Sequence, residues 1–165
     1  MGKLSTFTLF AKDLGADDQT GLVIRTHAHF ETALRHYVES VVAAPEHLPK
    51  LPYDGVLRLA CALGFDTNHL AALRALGDLR NHFGHRHDAT LSEENVGKLL
   101  TAFGPQYRPL VIASYEELNA GKQLPGPSTF QELPPYNKFV TVAVCLRAVV
   151  EEEFEKIGQK VPDDI

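Results

Sequence analysis

"LAALRALGDLRNHFGHRHDA", residues 70–89, decides how this chain is to be read. Leu70, Leu73, Leu76, Leu79 and Phe83 recur at intervals of three and four residues, which places them on one face of an α-helix and excludes the two-residue period of a strand. Asp66 or Thr67 supplies an N-cap before this stripe. Beyond it, the polar residues Arg80, Asn81, His82, His85, Arg86, His87 and Asp88 crowd around Gly84. The stretch therefore predicts a buried helical face that ends in a dense cluster of titratable side chains.

Working outward, the same period recurs in both directions. A helix over about 20–43 buries Leu22, Val23, Phe30, Ala33, Leu34, Tyr37, Val38, Val41 and Val42, with Glu31, Arg35 and Glu39 forming an ion-pair row outside. Three prolines in "APEHLPKLPY" end it. Asp54 caps a short helix that Gly64 closes, and a Thr90–Glu93 capping box starts another that runs to Phe103. Shorter segments at 4–14 and 106–118 fit helices. Residues 119–135, rich in Pro and Gly, predict an exposed excursion. The last helix, about 136–158, carries Phe139, Val142, Ala143, Leu146, Val149, Val150, Phe154 and Ile157. The expected architecture is an all-α bundle of about six helices in one domain spanning 1–165.

With 165 residues and 44% hydrophobic content the chain can bury one core without disulfides. Cys61 and Cys145 lack the paired spacing of a zinc or redox motif and are expected as buried free thiols. The N-terminal segment lacks the continuous apolar run of a signal peptide, and no stretch approaches a membrane span, so a cytoplasmic protein is expected. The net charge of −5 argues against a broad DNA-binding surface. It is unevenly spread. Residues 20–90 hold seven Lys+Arg, seven Asp+Glu and all eight histidines, whereas the segment after them holds seven basic and eleven acidic residues. A local phosphate pocket is thus permitted in the first half.

Arg80, Asn81 and His85 together resemble the R-x4-6-H signature of HEPN domains, helical bundles found in RNA-targeting toxins and defence systems. The surrounding order of "FAKDLGADD", "HFETALRHYVE", "RLACALGF" and the motif helix is similar to the mannitol operon repressor family, itself HEPN-like, over roughly residues 8–103. The resemblance implies a metal-independent RNA-cleaving or RNA-binding site. Arg80 would hold phosphate with its planar fork of donors, His85 would carry a proton near neutral pH, and Asn81 would orient one or the other. The alternative it implies is a non-catalytic transcriptional regulator acting through a protein partner. In that case Arg80 and His85 serve the fold or an interface.

Geometry adds a condition. Five positions along a continuous helix turn about 140° and rise about 7.5 Å, so Arg80 and His85 of one chain diverge. Either Gly84 ends the helix and releases His85, or two copies pair to form one cleft. The family's composite sites make a homodimer part of the reading, with an antitoxin or regulatory protein as further partner. Where some HEPN toxins place a modified Tyr, two residues after the motif His, this chain has His87, so no modification site is carried over.

His82, His85, His87 and Asp88 also raise a metal cluster, but the helical register separates them, and no metal or cofactor is expected. Arg25, His29, Thr32 and His36 form a polar stripe on the long helix. If it faces the motif helix, it is a second wall of the site; otherwise it is a solvated face. His27 and Arg35 lie off that stripe and are expected at the surface. No phosphate-cradling glycine loop, serine-nucleophile motif or basic recognition helix is present, which speaks against nucleotide hydrolysis, serine hydrolysis and direct DNA reading.

Overall fold

The computed structural model describes residues 6–15, 18–122 and 126–161, and among these it contains seven α-helices and no strand. They are α1 (Thr6–Leu14), α2 (Gln19–Val41), α3 (Tyr53–Ala62), α4 (Leu70–His85), α5 (Glu93–Ala102), α6 (Gly104–Lys122) and α7 (Pro135–Lys156). The helical period of the sequence is thus realised throughout. Leu4 lies outside the described residues, as do Ala16, Asp17 and residues 123–125.

Local chemistry sets the helix ends. Asp18 caps α2 by accepting from the backbone N–H groups of Thr20 and Gly21 at 3.1 and 2.7 Å. Gly64, at φ +112°, closes α3 as expected: the Phe65 N–H bonds the carbonyl of Ala60 and the Gly64 N–H that of Cys61. Only glycine takes that backbone conformation cheaply, and it turns Phe65 into the core. Two expected caps move. Asp54 is not the N-cap of α3 but lies in its first turn, where it binds Arg58 and Arg74 at 2.7 and 2.8 Å, and Pro52 precedes the helix instead. The capping box of α5 is Ser92–Asn95 rather than Thr90–Glu93, because the Glu93 carboxylate is drawn to Lys138 of α7 at 2.8 Å.

One core joins all seven helices. α2 and α4 pack on each other at its centre, with α3 beside both, α5 against α4, and α7 closing against α2, α5 and α6. The close approach of α4 is made at Gly77, where a Cβ would stand 2.9 Å from Cε1 of Tyr53. That ring is fixed because its hydroxyl donates to the carbonyl of Leu73 at 2.8 Å. Phe83, Phe65, Tyr37 and Phe103 are all buried, as packing rather than base stacking requires.

The segment 119–135 differs from its reading as an exposed excursion. α6 extends to Lys122, and the chain returns with Phe130 and Leu133 buried. Tyr115 and Asn119 both donate to the carbonyl of Pro127, and the Phe130 N–H donates to Glu116. Two apolar side chains in a Pro-rich segment are enough to tie it to the core. Cys61 and Cys145 are free but only half-buried; the Cys145 thiol lies 3.2 Å from the Ser114 hydroxyl. No described helix is long and apolar enough to cross a membrane.

Candidate functional site

The site grows from the last turns of α4. Leu73, Leu76, Leu79 and Phe83 bury one face of the helix, so the residues between them are pushed outward. Arg80, Asn81, His82, Gly84, His85, Arg86, His87 and Asp88 are all exposed. The helix does not stop at Gly84. Its φ is not in the left-handed region, α4 continues through His85, and the chain becomes extended only at Arg86. Of the two ways to bring Arg80 and His85 together, release of His85 by Gly84 is therefore removed: both residues stay on one continuous helix, five positions apart.

Arg80 is held locally and left free of acid. Its guanidinium donates to the Asn81 amide oxygen at 3.1 Å and lies over Gly84, where a Cβ would be 3.8 Å from Nη1. Among the described residues no carboxylate comes within ion-pair distance of Arg80. Glu31 is bound to Arg35 at 2.6 Å, as its place in the outer ion-pair row requires, and stands 3.8 Å from His27. His85 makes no hydrogen bond or ion pair among the described residues. One and two turns before it, His82 and Asp78 line a groove of about 330 Å³ between α4 and α5, with Ser92, Asn95 and Lys98 opposite.

Behind Arg80 lies a residue that sequence reasoning placed at the surface. His27 is buried, its ring tilted at 55° against Tyr53 with centroids 4.4 Å apart, and faces Gly77 of α4. Burial lowers its pKa; Glu31 acts in the opposite sense, and the positive field of Arg80 lowers it further. Burial, followed by Glu31 and Asp54, likewise raises the pKa of the Tyr53 hydroxyl. The signal available in the sequence was Gly77, since a glycine inside a strong helical stripe marks a close approach.

The expected second wall, Arg25, His29 and His36, turns away from the motif. Positions 25, 29 and 36 are rotated by about 160–180° from His27 around α2. His29 is buried against α1, its Nε2 at 2.8 Å from Asp13 and its ring edge-on to Phe10. Arg25 lies 3.6 Å from the same carboxylate group, and His36 pairs with Glu39 at 3.6 Å. Arg25 and His29 therefore fasten α2 to α1, whereas His36 stays on its own helix. The histidines of the motif also do not gather around an ion: among the described residues, the one set of three converging ligand groups is Asp66, His69 and Glu153, elsewhere in the molecule.

What remains at the end of α4 is an exposed set of donors: one guanidinium oriented by an amide, followed on adjacent faces by His82 and His85. Such a set can take a phosphate oxygen at Arg80 and exchange a proton at an imidazole. Compared with models of known families, with curated proteins and with solved structures, the chain matches none.

Proposed function

We propose that the end of α4 binds the phosphate backbone of RNA and, when two copies of the chain pair there, cleaves it without a metal, as its resemblance to HEPN domains implies. The observation that carries this reading is the uncommitted guanidinium of Arg80, exposed, free of any described carboxylate and aimed by Asn81. An exposed guanidinium with no carboxylate beside it has its planar fork of donors free for an anion. The all-helical bundle supports the resemblance without adding to its specificity.

In the paired site, the RNA 2′-hydroxyl attacks the adjacent phosphorus and the bond to the 5′-oxygen breaks. The products are a 2′,3′-cyclic phosphate and a 5′-hydroxyl. One His85 takes the 2′ proton, the partner subunit's His85 gives one to the leaving oxygen, and Arg80 neutralises the charge that builds on the phosphorane.

The test is cleavage of a mixed RNA pool in EDTA by the wild type and by Arg80→Ala and His85→Ala proteins. Wild-type cleavage and loss in both variants is expected. Mixing the two inactive variants should not restore activity, since a mixed dimer holds only one His85 and the step uses two. Absence of cleavage by an intact wild-type dimer would sink the nuclease reading and favour a regulator that works through a protein partner.

A further inference from the structure

A second cluster lies away from the motif, where the start of α4 meets the end of α7. Asp66 caps the short turn before α4, His69 is the residue preceding that helix, and Glu153 comes from α7, 87 residues beyond Asp66. Glu153 is 2% exposed and the His69 side chain 6%. Burying a carboxylate and an imidazole side by side is costly unless each finds a partner. Glu153 has two: Oε1 accepts from Lys156 at 2.5 Å and Oε2 from the Asp66 N–H at 3.0 Å. His69 has none at hydrogen-bonding distance. It packs on the Tyr107 ring, and the nearest carboxylate oxygen, Oδ2 of Asp66, is 3.8 Å from its Nε2.

That imidazole is more than nine-tenths buried, makes no hydrogen bond among the described residues, and has two acids beside it. One ligand atom from each of the three residues lies within 4.8 Å of the others. Around a tetrahedral zinc-class ion with bonds of about 2.0–2.2 Å, ligand atoms stand roughly 3.3–3.6 Å apart, so a contraction of at most about 1.2–1.5 Å closes the set. One nitrogen and two oxygens are the donors such ions take, and the fourth position is left to water. We propose that Asp66, His69 and Glu153 form a binding site for a divalent transition-metal ion of the zinc class, which fastens α7 to the start of α4. The Lys156 ammonium, half-exposed, holds one oxygen of Glu153 in the meantime and yields part of that hold when the ion enters.

The exposed histidines of the motif would bind zinc at the surface, so the test uses the full chain carrying His82→Ala, His85→Ala and His87→Ala. Equilibrium dialysis against Zn²⁺ should show one equivalent bound, with a rise in melting temperature over the same protein in EDTA. Asp66→Asn, which keeps the cap, and His69→Gln should each weaken Zn²⁺ binding by roughly tenfold or more. Lys156→Ala, which leaves all three ligands in place, should bind more tightly. Binding that is absent in the triple variant, or equally strong in both Asp66→Asn and His69→Gln, would overturn the proposal, as would loss of binding in Lys156→Ala.

Discussion

Replacing Gly84 by alanine tests the geometry on which the α4 site rests. Glycine inside a helix is about 1 kcal/mol less favourable than alanine, an amount that shrinks near the helix end. Gly84 is followed by one further helical residue, His85, so a gain of about 0.5 kcal/mol is expected. No clash opposes it. The new methyl group would meet only the Arg80 guanidinium, at 3.8 Å, which is ordinary contact with the mobile end of a side chain. For a chain of this length, 0.5 kcal/mol corresponds to a rise of about 1–2 °C in melting temperature, measurable by calorimetry on matched samples. A fall of a degree or more would mean that Gly84 is needed in a backbone conformation closed to alanine. His85 would then leave the helix, and convergence with Arg80 within one chain would be restored. RNA cleavage sharpens the result: activity lost while stability rises would show that the nucleic-acid backbone passes close over Gly84.

Two other perturbations probe the surroundings. Arg80→Ala removes a positive neighbour from His27, so the His27 pKa, held below its ordinary value of 6.5 chiefly by burial, should move upward in an NMR titration; no movement would mean that Arg80 does not face α2. The same group gives a sign for stability. Because the folded pKa lies below the unfolded one, the unfolded chain binds more protons as pH falls through 6.5, and stability should decline there, less steeply in Arg80→Ala. Phe130→Ala should cost about 3–5 kcal/mol in chemical unfolding, as for any large core aromatic; a cost under 1 kcal/mol would return residues 126–133 to a loosely held excursion.

The fold was legible because its signals are redundant. The stripes of α2, α4 and α7 each repeat the same period over several turns, and a change of one position in any of them would leave the pattern intact. Boundaries have no such redundancy. The cap of α5 depended on whether Glu93 turned back to its own helix or across to Lys138, and only the position of α7 settles that. The 119–135 segment misled for a related reason: its composition predicts turns correctly, but two apolar residues, Phe130 and Leu133, determine where those turns are held.

The candidate sites expose a different limit. Arg80, Asn81 and His85 could be picked out because exposed polar residues at a helix end obey only local rules. Which face of α2 looks at them is not a local question. Arg25, His29 and His36 share a polar stripe, yet α1 covers that side through Asp13 and Phe10, while His27 on the opposite side is buried beneath Tyr53. Glu153 was harder still. Within "EEEFE" it reads as one of several solvated acids, and nothing in that run separates it from Glu152. The distinction arises because Glu153 directly precedes the buried Phe154 and so is carried to the rim of the core, where the turn before α4 presents a backbone N–H and a buried histidine. Chemistry that depends on three elements meeting leaves no spacing in the sequence to find, and that is the reason His69, rather than the conspicuous histidines of the motif, is the buried imidazole beside two acids.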